Sequence, residues 1–461
     1  HSLTLAAQTD LGLFELRGGI QRVPYEGFSN QYMDMVDNRS WFLNGRYRGA
    51  FAWGDIDLAV HYRDTDHVMN FLDDKGGSAG GGMPMNTEGH TAGYTLGFSL
   101  PLSDAQTLRL GSALHHQWLN DWWPPVAGSM MMGPDVFVNI NRAHRDRLGH
   151  YVELESRLSD RVTTMLGLRN DQVWMNTGDV QPYGTNMMQM GDVAAANAFN
   201  AADHNHHDSN WSGSAIVRVD ATDNLRLELG YAHKVRSPNL YELYAWGRGA
   251  MASRMIGWFG DGNGYVGNIA LDPERADTIS ASATFTGGNA VPWTLRIAPW
   301  FTHVSDYIDV VKIADLTDMM GMPTGFVQLQ FANAEARLYG IDISGQATLW
   351  QGTSGGSLVF DAAASWSRGD NLDDDGALYH QMPFNARAAL RYANRGWDAN
   401  VEVQGVADKT RVDATHNETE TDGYVLVNLG MGYGWNGFRI GVEATNLLDR
   451  AYALPLGGMS I

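Results

Sequence analysis

Residues 54–69 read GDIDLAVHYRDTDHVM, and their alternation restricts the fold more than any other stretch of the chain. Ile56, Leu58, Val60 and Tyr62 are apolar or aromatic, whereas Asp55, Asp57, His61 and Arg63 are polar. A period of two is that of a strand with one oily and one wet face. The same parity assigns Thr65, His67 and Met69 to the wet face. With the oily side against lipid, a His-x-Met pair points into an interior. The stretch therefore implies a membrane β-barrel with soft-metal chemistry in its lumen.

Composition agrees with a barrel. A chain of 461 residues can form several soluble domains or one very large closed sheet. Its 53 Gly and 49 aromatic residues (15 Trp, 18 Tyr and 16 Phe) suit alternating strands ended by aromatic girdles better than long helices. No apolar run reaches the ~18 residues of a spanning helix, and a closed sheet is then what satisfies the backbone in lipid. The net charge of -20 gathers in loops such as 371–376 (NLDDDG), which read either as solvated tips or as a cation-collecting pore mouth. No basic stripe with interleaved aromatics points to nucleic acid. With no cysteine, the chain holds neither disulfide nor thiolate ligand. Gly-x-Ser-x-Gly, P-loop and His-Glu-x-x-His signatures are absent, so neither an enzyme nor a cofactor is expected.

Strand alternation and turn residues give about eighteen segments long enough to cross an outer membrane. Short connections fall near 49–54, 101–106, 156–161, 220–224, 286–293, 350–356, 394–397 and 434–437. Long polar ones fall near 24–36, 70–90, 120–141, 176–209, 237–271, 312–325, 370–382 and 408–421. Tight turns at one rim and long loops at the other are the pattern of an up-and-down barrel. A propeller would repeat every ~40 residues, and no such period is present. A lipid face is explicit in Leu225, Leu227, Leu229 and Tyr231, in Val425, Val427, Leu429, Met431 and Tyr433, and in Phe438, Ile440, Val442 and Ala444. The expected class is all-β, a transmembrane antiparallel barrel.

Four motifs then carry a family resemblance. Residues 231–246 (YAHKVRSPNLYELYAW), 262–273 (GNGYVGNIALDP) followed by Glu274, 333–342 (NAEARLYGID) and 446–452 (NLLDRAY) resemble, in order, those of TonB-dependent outer-membrane receptors. The resemblance implies a 22-stranded barrel filled by an N-terminal plug. Residues 1–461 would then be an incomplete barrel of about 18 strands, with the first strands, the plug and the last strand missing. It also implies outer-membrane lipid and the TonB energy-coupling complex as partners, a monomer, and a Gram-negative outer membrane as location.

Within the family, His67-Val68-Met69 followed by Met83-Pro84-Met85 is similar to the copper receptors, in which a barrel His-x-Met pair supplies two ligands and the plug others, including a cysteine and a methionine. His67 and Met69 are then the primary metal residues, a half site that the plug completes. Copper would be the transported ion. Imidazole and thioether suit Cu(I), and alternate residues on one strand face lie ~7 Å apart, within reach of one ion.

Further Met and His clusters lie in the expected loops: Met130, Met131 and Met132; Met187, Met188 and Met190; Met319, Met320 and Met322; and His204, His206 and His207. With Met83 and Met85, the methionines form a candidate thioether track or fill gaps where loops pack. His204, His206 and His207 are a candidate Cu(II) or Zn trap. His115 and His116 should point to opposite faces. Two other readings stay open: a siderophore or metal-chelate receptor using Trp122, Trp123, Trp246 and Trp258, and a passive porin or barrel enzyme.

Overall fold

The computed structural model describes the whole chain except residues 76, 78–81, 258, 289–290, 318–321, 353–354 and 458–461. Nineteen strands are present among the described residues: β1 (Ser2–Thr9), β2 (Gly12–Val23), β3 (Asp34–Phe51), β4 (Gly54–Asn70), β5 (Met85–Ser103), β6 (Gln106–Trp123), β7 (Phe137–Ser159), β8 (Val162–Asn176), β9 (His206–Thr222), β10 (Leu225–Arg236), β11 (Gly264–Val266), β12 (Glu274–Gly287), β13 (Trp293–Thr317), β14 (Pro323–Gln351), β15 (Ser357–Asn371), β16 (Asn385–Asn394), β17 (Trp397–Val406), β18 (Tyr424–Trp435) and β19 (Phe438–Ala444). All but β11 form one antiparallel meander in chain order, with β10 paired to β12. The up-and-down order read from the sequence is the order observed, with 18 strands in the meander.

The two rims differ as expected. Residues 52–53, 104–105, 160–161, 223–224, 395–396 and 436–437 make tight turns at one rim. Arg395 with Gly396 (φ 49° and 88°) and Asn436 with Gly437 (φ 47° and 84°) both place two consecutive residues at positive φ. That is the hairpin turn whose twist matches the flanking strands.

Alternate residues on the outer face expose bare apolar surface. Leu229 is 58 % exposed, and Phe438, Ile440 and Val442 reach 63–70 %. In water such rows would be a liability, and against lipid they are the required surface. Aromatic pairs bracket this band on the first strands. Phe14–Tyr47 (4.7 Å) and Phe51–Trp53 (5.4 Å) lie towards the tight-turn rim, and Trp41–Tyr62 (4.9 Å) and His90–Trp118 (4.8 Å) towards the loop rim. Trp41 and Phe51 are ten residues apart on β3, or about 33 Å along a strand, which a 45° tilt reduces to the ~25 Å of an outer-membrane apolar band.

The long polar connections carry regular structure of their own, which strand alternation and turn residues do not disclose. Residues 177–205 carry helix α1 (Met190–Asn200), and residues 237–273 carry α2 (Leu240–Tyr244), α3 (Ala250–Met255) and β11. Asn239 caps α2 by accepting from Tyr241 and Glu242 N–H at 2.9 Å, while Glu242 accepts from the Asn239 N–H at 2.7 Å. This reciprocal box fixes two orphan donors of the first turn. Arg236 bridges Glu242 (3.0 Å) and Glu274 (2.5 Å), so the RSPNLYEL motif is a device for turning the chain off β10 and inward.

A correction concerns 312–325. Polar Lys312 and Asp315 suggest a loop, but β13 and β14 continue to Thr317 and from Pro323. The extension is held because β11 adds in parallel along Gln328–Gln330 and because Val310, Val327, Leu329 and Phe331 pack on an interior cluster with Tyr265 and Leu271. Two such interior clusters lie towards the loop rim, where loops and helices fold into the lumen.

Candidate functional site

Methionines converge at the loop end of β3, β4 and β5. Met35 stands opposite Met69, and Met69 opposite Met85, so three thioethers share one row across three strands. His67 lies two residues along β4 on the same face. Val60, of the opposite parity, is 46 % exposed on the apolar outer side, whereas Met69 packs into an interior cluster. The parity argument for His67 and Met69 facing the lumen holds.

That cluster is unusually rich in sulfur. Met33, Met83, Met85 and Met255 are buried in it, and Met69, Met132 and Met251 pack against it, together with Trp123, Phe137, Tyr183 and Trp246. Trp123, Phe137 and Trp246 stack in series at 4.3 and 4.7 Å, a rigid wall against which the flexible thioethers rest. His67 is half-buried, with its Nδ1 3.5 Å from the Asn38 amide nitrogen, too long for a strong hydrogen bond. Among the described residues the imidazole is therefore not committed to a tight partner.

Two clefts lead outward from this cluster. The inner one, about 340 Å³, is lined by Met83, Met131, Met188 and Met251 with Trp123 and Tyr183. The outer one, about 680 Å³, is lined by Met130, Met187 and Met188 with Pro125 and Pro134. Met188 lines both. Met130, Met187, Met188 and Met190 are 53–92 % exposed, so these side chains are not gap-fillers. Met132 is the contrary case, packed into the cluster.

Helix α1 and the turn that leads into it fix the arrangement by bonding to backbone groups. Gln189 Nε2 donates to the Met131 and Gly133 carbonyls (3.0 and 3.1 Å), Asn186 Nδ2 to the Met130 carbonyl (2.9 Å), and Asp192 Oδ1 accepts from the Arg248 and Gly249 N–H groups (2.9 and 2.6 Å). Burial pushes the Asp192 carboxyl above its ordinary range, and the two N–H donors oppose that rise.

The remaining expected residues divide. His204, His206 and His207 do not converge. His204 places Nδ1 3.2 Å from the Thr177 carbonyl and Nε2 2.7 Å from that of Phe199, His206 lies 3.0 Å from Asp208, and His207 3.0 Å from Gln172. Each ring is directed at its own local partner, so among the described residues the three do not converge on one point. His115 and His116 do separate, with His115 ranged towards His61 and His116 towards Asp146. Met319, Met320 and Trp258 lie outside the described residues, while Met322 is 60 % exposed. Sequence reasoning missed Met33, Met35, Met251 and Met255, although the Met-x-Met spacing of the first pair repeats that of Met83 and Met85. It also missed a group from distant segments, Asp309, Asp413 and His416, whose ligand atoms lie within 4.8 Å of one another.

Comparison with known proteins gives the family. Residues 3–447 match the TonB dependent receptor-like β-barrel family. No curated protein sequence is significantly similar. Among solved structures, the chain is similar to the copper transporter OprC, at a TM-score of 0.78 and 19 % identity over 100 % of this chain and 69 % of that one. It is also similar to the siderophore receptor PirA from Pseudomonas aeruginosa (0.62, 16 %, covering 98 % and 67 %) and to the ferric enterobactin receptor PfeA from the same organism (0.66, 15 %, covering 97 % and 64 %). The chain thus spans about two thirds of the length of these structures. On the match across nearly its whole length, it belongs to the TonB-dependent receptors, the transporters whose β-barrels sit in the outer membrane of Gram-negative bacteria.

Proposed function

We propose that this receptor imports copper, taking Cu(I) along its methionine-lined clefts to His67 and Met69. The observation that carries the reading is the continuity of thioethers from Met130 and Met187 at the surface, through Met188 and Met131, to the row of Met35, Met69 and Met85 beside an uncommitted imidazole. Soft thioethers hold Cu(I) while competing poorly for the hard cations of the medium. Several weak sites in series let an ion enter without being trapped, which passage requires. The acidic surface, at a net charge of -20, raises the local concentration of cations. His67 and Met69 supply an imidazole and a thioether, and a plug would add further ligands and couple release to TonB. The higher structural similarity to a copper transporter than to two siderophore receptors supports this cargo.

A chelate receptor is the competing reading. Two of the tryptophans it would use, Trp123 and Trp246, are only 0 and 3 % exposed and stack within the wall. The deciding experiment is Cu(I) titration of the full-length receptor and its His67→Ala and Met69→Leu variants. Each variant should lose at least about tenfold in affinity, or about 1.4 kcal/mol. Unchanged affinity in both removes the metal role of the pair.

A further inference from the structure

Loop 407–423, between β17 and β18, folds back over the lumen and presents a buried imidazole. Asn417 Nδ2 donates to the Asp261 carbonyl and to Asn263 Oδ1 at 3.0 Å, and Asn263 Nδ2 donates to the Thr415 carbonyl at 2.9 Å. The loop is thereby placed against a segment following α3. The His416 side chain is 2 % exposed and packs on the rings of Tyr379 (4.6 Å) and Phe259 (4.9 Å). Its Nδ1 lies 2.5 Å from Asp413 Oδ2, while the other oxygen of Asp413 accepts from the Thr415 N–H at 2.8 Å. Its Nε2 is buried with no hydrogen-bond partner among the described residues. One ligand atom from each of Asp309, Asp413 and His416 lies within 4.8 Å of the other two.

Charge makes the orphan nitrogen meaningful. The bases nearby are committed elsewhere: Lys409 to Glu418, Arg337 and Arg411 to Asp370, and Arg236 to Glu242 and Glu274. Among the described residues no Lys or Arg pairs with Asp261, Asp309 or Asp413. Asp309 and Asp413, both partly buried, set two carboxylates beside one buried imidazole, a concentration of negative charge that a proton or a cation neutralises.

We propose that Asp309 and His416 bind a divalent transition-metal ion, Zn2+ by charge and donor type, with Asp413 as the positioning residue. The Nδ1–H donated to Asp413 fixes the tautomer that leaves the Nε2 lone pair free, the carboxylate–histidine–metal arrangement. A mixed nitrogen and carboxylate set suits Zn2+, whereas Ca2+ and Mg2+ take oxygen alone and Cu(I) prefers sulfur. Because Asp309 belongs to β13 and His416 to the loop, the ion fastens the loop to the barrel wall. This clasp is independent of what the receptor transports.

The test uses the full-length receptor, stripped of metal by a chelator and titrated with Zn2+, with hydrogen exchange followed across residues 407–423. Wild type should bind one Zn2+ more than His416→Gln or Asp309→Asn, and Zn2+ should protect the loop in wild type alone. Asp413→Asn should retain the site at an affinity about 10- to 100-fold weaker. Met69→Leu, which disables the proposed copper pair, should leave Zn2+ binding unchanged, so the two proposals fail separately. Unaltered exchange in β13 and β14 of each variant certifies its fold. Equal Zn2+ stoichiometry in wild type, His416→Gln and Asp309→Asn overturns the clasp, as does Co2+ in wild type giving the spectrum of an all-oxygen site.

Discussion

Met69 and Met85 face one another in register across β4 and β5, on the side of the sheet that also carries His67. Met85 is 7 % exposed, so its thioether both packs and lies beside the proposed copper position. Met85→Leu conserves volume and removes sulfur, and it should cost less than about 1.5 kcal/mol of stability. We expect Cu(I) affinity to fall nonetheless, less than in Met69→Leu. Competition against a colorimetric Cu(I) chelator, with a melting curve on the same sample, separates the two effects.

Met188 lines both clefts and is 53 % exposed. Its replacement by Leu should change stability by no more than about 0.5 kcal/mol, as for other surface positions. Uptake of radiolabelled copper by cells should slow several-fold while equilibrium affinity at His67 and Met69 is retained. Normal uptake would mean that the thioether of Met188 is not on the path.

Lys409 and Glu418 form an ion pair with side chains 2 and 4 % exposed, and Lys409 Nζ also donates to the Pro455 carbonyl at 3.0 Å. Removing one partner strands a buried charge, a loss of about 3–5 kcal/mol, whereas replacing both with apolar residues is often neutral. Lys409→Met should therefore expose loop 407–423 to protease, and the Lys409→Met, Glu418→Gln double variant, which removes the second charge but keeps an acceptor for the His380 and Asp413 N–H groups, should restore much of the resistance. Limited proteolysis with mass mapping reads both.

Gly93 lies between His61 and His115 on the lumen wall. A Cβ there would meet the Leu114 carbonyl oxygen at 2.2 Å and the His61 ring at 2.8 Å. The backbone contact cannot be relieved by a rotamer change, so Gly93→Ala should cost about 1–3 kcal/mol and lower the yield of folded barrel. A melting temperature equal to wild type would contradict the packing described.

The barrel was legible because period-two alternation and tight-turn residues are local signals. The pair Asn436 and Gly437 announces its hairpin within two residues, and His67 and Met69 were placed on the wet face by parity alone. The ends of β13 and β14 were not legible, since Lys312 and Asp315 look like loop residues and the strand β11 that supports the extension comes from a different part of the chain. Helix α1 was missed because it is held by Gln189 and Asp192 bonding to distant backbone rather than by an apolar stripe. The grouping of Asp309 with His416 could not be seen either, because Asp309 lies on β13 and His416 on a loop more than a hundred residues later, and only Asp413 is local to the histidine.

The way Asn186, Gln189 and Asp192 grip main-chain atoms of two other loops has a mechanical corollary. Bonds to peptide groups leave every attached thioether free to swivel while its anchor stays still, so the vestibule combines a stiff chassis with pliant sulfur. Opening it for a large object would require all three segments to swing away together, whereas a bare ion could be handed inward by rotation of side chains alone.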